Sequence, residues 1–366
     1  MKIIFDKGPD GIGACFANPQ QIIEVWNIDD VPDALDALDR ADGWLAGYCS
    51  YELGYALENK LNGLMPAKRR LPLSRFGVFD QPIPYQINAN GGMLSELKPR
   101  WNNIQHAAAI KRLRAYIEAG DIYQANLTFP IDVGATLGSP EAIYAALARY
   151  QPVGHAALIL QNSLPALLSR SPELFFKTNA GRIETAPMKG TMPRSNNQTE
   201  DRANLNFLET DEKNRAENLM IVDLLRNDLS RVSKIGSVKV PKLFEIKTYA
   251  TVHQMVSRIE ADLLPEIKLG SILKALYPCG SITGAPKVRA MEIIHELEPW
   301  PREAYCGTIG WWAPDGRSEF NVAIRTLMHD EDHTVMNVGG GIVWDSTAEL
   351  EYEEALWKAR FAQLQN

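Results

Sequence analysis

The chain has 366 residues, of which 45% are hydrophobic, a composition typical of one large or two smaller globular domains. Acidic residues (45) outnumber basic ones (38), and the net charge of −7 argues against a nucleic-acid-binding protein, since no net basic surface is available. The apolar run at residues 3–5 is too short for a signal peptide or a membrane span, and four separated cysteines indicate reduced thiols of a cytoplasmic protein, not a zinc site.

Glycine and proline punctuate residues 1–104, where the small and aromatic residues of 43–56 predict a buried strand and turn. The pattern becomes more regular from about residue 106 onward. Periodicity predicts helices over 106–117 and 141–150 and strands over 121–133 and 156–160.

The stretch 170–194 predicts a β-hairpin, because two strand-like runs flank a turn containing Asn-Ala-Gly. If Lys177 pairs with Arg182, the ladder brings Glu173 and Lys189 to the open end of the hairpin. Prolines and glycines stop regular pairing there, and such positions often carry function. The alternative is a surface ion pair of little consequence.

A helix is predicted over 211–232, where apolar residues recur at helical spacing. Glu217 lies in a stripe beside the main apolar one, so we expect its side chain to point into protein or a cleft. A buried carboxylate needs a partner, a cation or a metal. The alternative is an exposed or capping glutamate in the first turns.

Two further segments give weaker signals. The strand predicted over 248–259 contains His253, and a lone strand histidine is most often a satisfied core or edge residue. The glycine-rich turn 278–290 precedes a helix predicted over 288–297, but it lacks the G-x-x-x-x-G-K-[ST] spacing of a phosphate loop. What remains is a turn at a helix N-terminus that suits a carboxylate or another anion.

The range 305–345 predicts three strands, and the register of the second hairpin places Arg325 opposite Asn337, beside the glycines 339–341. An arginine next to bare backbone amides favours binding of a carboxylate. The alternative is an edge-strand arginine beside a glycine bulge.

The last segment, 346–364, predicts a helix on which Glu354 interrupts an apolar stripe, with Lys358 one turn further on. A plain i,i+4 ion pair would explain this spacing. Alternatively, Glu354 is a second inward carboxylate that shares a Mg²⁺ ion with Glu217, because Mg²⁺ takes few protein carboxylates and keeps waters.

Several long motifs occur in one order along the chain. They are SPELF (171–175), PMKGT (187–191), ENLMIVDLLRND (217–228), TVHQMVS (251–257), PCGSITGAPKVRAMEII (278–294), YCGTIGW (305–311), AIRT (323–326) and GGGIVWDSTAELEYEEALWKA (339–359). Together they resemble the chorismate-utilising enzymes, which include anthranilate, aminodeoxychorismate, isochorismate and salicylate synthases. The resemblance covers about residues 105–366, which are therefore expected to form the chorismate-binding catalytic region. Residues 1–104 are shorter than in relatives and are expected to be part of the same fold.

The resemblance implies an α+β fold in which two large antiparallel β-sheets pack as a sandwich, with helices outside and the active-site cleft between the sheets. DIYQANLTF resembles part of the region with which relatives bind tryptophan, but the leucine- and serine-rich motif of that site has no convincing match.

Lysine at position 189 is typical of the branch that converts chorismate and ammonia into 4-amino-4-deoxychorismate, on the route to 4-aminobenzoate and folate. Anthranilate and isochorismate synthases carry alanine there and remain the alternative within the family. A non-catalytic chorismate-binding homologue is the alternative from another class.

The resemblance also implies roles for individual residues. Lys189 would attack C2 of the ring while Glu173 protonates the departing C4 hydroxyl, with His253 near the ring. Glu217 and Glu354 would be the protein ligands of Mg²⁺. Ammonia would come from a separate glutamine amidotransferase subunit. The substrate-binding positions would be Thr283, Gly284, Tyr305, Arg325, Gly339, Gly340, Gly341 and Lys358.

Overall fold

The computed structural model describes residues 1–134, 136–249, 252–331 and 333–364, so Thr251 of the TVHQMVS motif lies outside the described residues. Within these ranges the chain forms two large antiparallel sheets of ten strands each, together with helices. This architecture confirms the α+β fold class. None of the helices in the described part of the chain has the length and apolar character to cross a membrane.

The helices and strands have the following bounds. The α-helices are α1 (Val31–Arg40), α2 (Leu53–Leu57), α3 (Asn103–Glu118), α4 (Pro140–Tyr150), α5 (Gln198–Thr210), α6 (Glu212–Ser230), α7 (Leu269–Leu276), α8 (Lys287–Leu297) and α9 (Ala348–Ala359), and short 3-10 helices cover Ile28–Asp30, Asn59–Leu64, Gly280–Ile282 and Arg360–Ala362. The strands are β1 (Lys2–Phe5), β2 (Ala14–Ala17), β3 (Gln21–Val25), β4 (Trp44–Cys49), β5 (Ser74–Phe79), β6 (Ile83–Pro84), β7 (Met93–Leu94), β8 (Leu97–Pro99), β9 (Gln124–Val133), β10 (Thr136–Leu137), β11 (His155–Leu160), β12 (Ala166–Ser171), β13 (Leu174–Asn179), β14 (Arg182–Ala186), β15 (Met188–Pro193), β16 (Lys239–Thr248), β17 (Val252–Asp262), β18 (Gly284–Ala285), β19 (Thr308–Trp312), β20 (Ser318–Asn321), β21 (Thr326–His329) and β22 (Thr334–Ile342).

The first sheet has the order β18-β9-β22-β21-β12-β11-β1-β2-β6, with β8 also pairing with β9. The second has the order β15-β17-β14-β13-β20-β19-β4-β5-β3, with β16 also pairing with β17. Strands from the first hundred residues therefore extend both sheets.

Three apolar clusters hold the layers together. The cluster between the sheets contains Ile3 and Met328 from the first sheet and Tyr48 and Trp311 from the second. The outer face of the first sheet packs against α3, α4, α8 and α9, and that of the second packs against α1, α6 and α7. The resulting order of layers is helices, sheet, sheet, helices.

The hairpin predicted at 170–194 is present as β13 and β14, but its predicted register was wrong. Lys177 pairs with Glu184, and a register shift follows between Leu174 and Lys177. Lys189 is not on this ladder, because it belongs to β15, which pairs with β17. A β-bulge of this kind inserts a residue on one strand, which sequence periodicity does not reveal.

Two other predicted strands have different bounds. The segment 248–259 is divided, since β16 ends at Thr248 and β17 begins at Val252. The segment 305–345 contains β19 to β22 where three strands were predicted. Arg325 was predicted to lie opposite Asn337, but it is outside the ladder because β21 begins only at Thr326. Asn337 pairs with Pro130 of β9.

Candidate active site

Lys189 lies at a break in the β15 ladder. It pairs with Met255 of β17, and the register shifts directly after it, at Gly190, whose φ is 67°. A Cβ at position 190 would lie 2.9 Å from Oδ1 of Asn214 on α6. Glycine therefore permits both the left-handed backbone and the close approach of β15 to the helix that carries Glu217.

The Lys189 amine is half-buried among charges from several parts of the chain. Burial lowers the pKa of Lys189, the carboxylates of Glu217, Glu173 and Glu354 act against that shift, and the charge of Lys358 adds to it. The pKa is lower than usual on balance. This increases the fraction of neutral amine, which is the nucleophilic form.

Glu173 lies between β12 and β13 and is only 5% exposed. Burial raises the pKa of its carboxyl, although a hydrogen bond from Ser281, the charge of Lys189 and a hydrogen bond with the Met188 backbone oppose the rise. Ser281 Oγ donates to Oε1 of Glu173 over 2.7 Å. The structure thus brings the acid and the amine together, and burial favours the protonated acid that could donate to a leaving group.

Glu217 on α6 and Glu354 on α9 face each other across the same site. Burial raises the pKa of Glu217, and the charge of Lys189 opposes that rise. Burial also acts to raise the pKa of Glu354, but the pKa is lowered overall because Glu354 forms an ion pair with Lys358 at 2.7 Å. The predicted i,i+4 ion pair is therefore present. The Glu354 side chain itself is 55% exposed, so it borders the site beside Gly340 without being buried there.

Glu351 is a third carboxylate that the sequence analysis did not identify. A Cβ on Gly340 would lie 3.1 Å from Glu351 Oε2, 3.5 Å from Lys358 Nζ and 4.0 Å from Glu354 Oε1, so all three side chains face this glycine. Ser346 Oγ donates to Glu351 Oε1 over 2.6 Å. The i,i+3 spacing between Glu351 and Glu354 places them on one helix face and could have revealed the residue.

The chemistry of these carboxylates fits a hard divalent cation. Among the described residues, no three His, Cys, Asp or Glu side chains are arranged to hold a metal by themselves. Mg²⁺ commonly binds one or two protein carboxylates and completes its shell with waters and substrate oxygens. The donors present on α6 and α9 suit that incomplete protein shell.

The three glycines of β22 form one wall of the site. β9 pairs with β22 along the whole run, from Gly339 opposite Thr128 to Gly341 opposite Asn126, whereas β21 pairs with β22 only as far as Met336. One edge of β22 is therefore free of β21 beside the glycines, and Lys358 Nζ donates to the carbonyl of Gly339 over 2.9 Å.

Gly341 is the glycine that adjoins the amine. A Cβ there would lie 3.3 Å from Lys189 Nζ and 2.8 Å from Nε2 of Gln124. The missing side chain leaves the space between β22 and β15 open.

Arg325 precedes β21 in a left-handed conformation, with φ of 49°. Burial lowers the pKa of its guanidinium, and the neighbouring Tyr305, itself 7% exposed, acts in the opposite direction. In the part of the chain that the structure describes, no carboxylate forms an ion pair with this guanidinium. A desolvated cation without a counterion favours an anionic ligand.

Thr283 and Gly284 hold the glycine-rich turn against β9. Thr283 is buried, and its hydroxyl donates to the carbonyls of Cys279 (3.2 Å) and Gly280 (3.3 Å). A Cβ on Gly284 would lie 2.2 Å from the carbonyl oxygen of Gln124, so only glycine allows β18 to pair there.

His253 has partners outside the cluster around Lys189. It is 1% exposed, its Nδ1 lies 2.9 Å from Thr248 Oγ1, and its Nε2 lies 3.0 Å from Asp201 Oδ1. Both ring nitrogens are thus used in a contact between β17, β16 and the start of α5.

Gln124 is the second residue that the sequence analysis missed. It is fully buried, and neither atom of its side-chain amide has a hydrogen-bond partner among the described residues. Its amide adjoins Gly341 and therefore the Lys189 amine. Strand alternation alone places Gln124 on a face of β9 but does not show that β15 lies opposite.

The chain resembles known proteins over most of its length. A family model described as chorismate binding enzyme matches residues 82–363. The chain is 42% identical over 254 residues to aminodeoxychorismate synthase component 1 of Salmonella typhimurium, covering 69% of this chain and 56% of that protein. It is 41% identical over 268 residues to the protein of the same name from Escherichia coli, covering 73% and 58%. The chain therefore spans less than two thirds of the length of these relatives.

Solved structures share the fold. Anthranilate synthase component I from Streptococcus pneumoniae matches with a TM-score of 0.81 at 24% identity, covering 96% of this chain and 91% of that one. A putative 2,3-dihydroxybenzoate-specific isochorismate synthase from Bacillus anthracis matches with a TM-score of 0.80 at 19% identity, covering 98% and 94%. Both have the sheet sandwich described above over nearly their whole length.

Proposed function

The chain belongs to the family of chorismate-binding enzymes, and we propose that it converts chorismate and ammonia into 4-amino-4-deoxychorismate. The observation that carries this proposal is the half-buried Lys189 amine, whose pKa burial lowers and which lies beside the buried acid Glu173. Relatives named aminodeoxychorismate synthase component 1, about 41–42% identical to the chain, support the same branch.

In the first half of the reaction, the neutral Lys189 amine attacks C2 of the chorismate ring. As the C2–N bond forms, the C1=C2 electrons move to C1=C6, the C5=C6 electrons move to C4=C5, and the C4–O bond breaks. Glu173 gives its proton to the departing oxygen, which leaves as water. Glu173 is then a carboxylate. Its burial and its contact with Ser281 suit both states, since the hydrogen bond strengthens when the charge forms.

In the second half, ammonia adds at C4 as the C2–N bond to Lys189 breaks. The Glu173 carboxylate accepts a proton from the new ammonium group, which restores the acid. Gln124 lies next to Lys189 with an amide free to accept or donate a hydrogen bond, so it can contact a reacting group at this position.

The substrate carries two carboxylates, and the site offers two places for them. The buried guanidinium of Arg325, with Tyr305 nearby, would bind the enolpyruvyl carboxylate. Glu217 and Glu354, with Glu351 beside them, would hold Mg²⁺ at the ring carboxylate. Bound there, Mg²⁺ would neutralise that carboxylate and orient the ring.

The remaining residues have supporting roles in this proposal. Lys358 orients Glu354 and binds the Gly339 carbonyl. Thr283 and Gly284 position the turn that carries Ser281. His253 stabilises β17, the strand that pairs with β15, through its contacts with Thr248 and Asp201.

We also propose that a separate glutamine amidotransferase subunit supplies the ammonia, because the closely similar relatives are named as component 1 of a synthase. We place the protein in the cytoplasm. Its four cysteines are free and buried, which suits a reducing compartment.

Product analysis by mass spectrometry tests the proposal. The chain is incubated with chorismate, Mg²⁺ and ammonium, with and without a glutaminase partner and glutamine. We expect 4-amino-4-deoxychorismate. Formation of anthranilate or isochorismate would assign the chain to another branch, and chorismate binding without any product would make it a non-catalytic homologue.

A further inference from the structure

Ser281 is the side chain that contacts the Glu173 carboxyl most directly. It lies in the short helix Gly280–Ile282, is 6% exposed, and places its Oγ 2.7 Å from Oε1 of Glu173. On its other side, the same Oγ lies 3.3 Å from Sγ of Cys279. These three buried groups form a short chain of hydrogen bonds that ends at the acid.

The direction of this chain follows from the chemistry of the thiol. Burial raises the pKa of Cys279 to about 12, so it remains a thiol and keeps its proton. A thiol sulfur is a weak acceptor, whereas a carboxyl oxygen is a strong one. The Ser281 hydroxyl therefore donates to Glu173 Oε1 and accepts from the Cys279 thiol.

We propose that Ser281 is a positioning residue for the acid: by donating to Oε1 it confines the transferable proton of Glu173 to Oε2. This inference rests on the proposed role of Glu173 as the acid that protonates the leaving group. When the proton passes from Oε2 to the C4 oxygen and the C4–O bond breaks, Glu173 gains a negative charge. The hydrogen bond from Ser281 then becomes charge-assisted and stronger, which favours the transfer.

Removing the Ser281 hydroxyl should change the pKa of the Glu173 carboxyl, which a loss of packing alone would not do. Burial raises the pKa of Glu173, and the Ser281 hydrogen bond acts against that rise. In Ser281→Ala we therefore expect the Glu173 carboxyl to titrate at higher pH than in the wild type. We also expect kcat to fall about tenfold or more, while the high-pH limit of activity moves upward at constant free ammonia.

The chain offers a matched control in Ser171. This serine is also fully buried, and its Oγ contacts the backbone of Glu173 (N at 3.2 Å) and the carbonyl of Val322 (2.5 Å). No hydrogen bond joins it to the Glu173 carboxyl among the described residues. Ser171→Ala should lower thermal stability without moving the titration of that carboxyl.

The titration is followed by infrared difference spectroscopy of the protonated carboxyl band, with Glu173→Gln identifying the signal. Ser281→Cys nearly preserves the side-chain volume but replaces the hydroxyl with a weak donor. The Glu173 carboxyl should therefore titrate in this variant as it does in Ser281→Ala, so the test remains usable if the alanine variant is unstable. An unchanged titration in both Ser281 variants, or an equal shift in Ser171→Ala, would overturn the inference. Because this measurement needs no turnover, a wild-type protein that fails to aminate chorismate would refute the proposed function and leave the Ser281 result interpretable.

Discussion

Substitution of Gly341 by alanine tests the geometry around the amine with the smallest possible change. Gly341 is not in the left-handed region, so the backbone of β22 accepts alanine. The added Cβ would lie 2.8 Å from Gln124 Nε2 and 3.3 Å from Lys189 Nζ. Because non-bonded heavy atoms normally stay about 3.5 Å apart, the Gln124 amide must retreat by roughly 0.7 Å and the amine by less.

A displacement on the order of 1 Å at a reacting group can lower the rate by about 10²-fold. We therefore expect kcat of Gly341→Ala to fall between about tenfold and 10²-fold, equivalent to about 1.4–2.7 kcal/mol of activation free energy. The free energy of unfolding should change by no more than about 1 kcal/mol, since alanine in a strand loses less backbone entropy than glycine on folding.

The assay is ammonia-dependent turnover of chorismate, with thermal unfolding measured in parallel. Gly154→Ala is the matched control, because a Cβ there meets no atom within 4 Å. Gly340→Ala provides a contrast, since its Cβ would lie 3.1 Å from Glu351 Oε2 and should alter the Mg²⁺ requirement more than kcat. Wild-type kcat in Gly341→Ala would show that the amine does not react in the space facing this glycine.

Three further outcomes are expected. Lys189→Ala should abolish the covalent adduct seen by intact-protein mass spectrometry with chorismate and largely spare chorismate binding; unchanged ammonia-dependent turnover would contradict the nucleophile role. Glu354→Gln should weaken the apparent Mg²⁺ affinity at least about tenfold, or about 1.4 kcal/mol, whereas the same change at the adjacent Glu353, which lies on a different helix face, should not; an unaltered magnesium titration would exclude Glu354 as a ligand. Burial lowers the pKa of His106 to about 4, below its usual value in the unfolded chain, so the stability that its neutral form contributes is complete above pH 6.5 and is lost as the pH falls toward 4. His106→Phe should reduce this acid-induced loss of unfolding free energy by about 3 kcal/mol at pH 4, as measured by urea unfolding at several pH values, and an identical pH dependence would show that another group is responsible.

Local patterns predicted the elements that carry the site. Helical periodicity located α6 and α9 and placed Glu217 and Glu354 on the faces that turn toward Lys189, because the face of a helical residue depends only on its spacing from its neighbours. Periodicity did not show that the Glu354 side chain is 55% exposed there. Strand alternation and turn residues located β13 and β14 for the same reason. These are properties of short segments, and the sequence contains them directly.

Properties that depend on pairing between distant strands were not predictable in this way. The bulge between Leu174 and Lys177 shifts the hairpin, so Lys189 reaches the acid from β15 instead of along one ladder. Arg325, directly before β21, has a left-handed backbone. The pairing of β21 with β22 stops at Met336, so one edge of β22 is unpaired with β21 beside the glycines 339–341. Gln124 lies near Lys189 only because β22 brings Gly341 close to both side chains, and sequence patterns do not show this arrangement of β9, β22 and β15.

The charge states of Glu173 and Lys189 depend on their surroundings as well as on each other. An ion pair between the two would be inert, since a carboxylate has no proton to give and an ammonium cannot attack carbon. Burial favours the neutral acid and the neutral amine, whereas the carboxylates of Glu217 and Glu354 favour the ammonium form of Lys189. Filling the site with substrate removes water and strengthens the effect of burial. It follows that neutralising the charges of Glu217 and Glu354 would favour the neutral form of the Lys189 amine, which is the form that the proposed reaction requires.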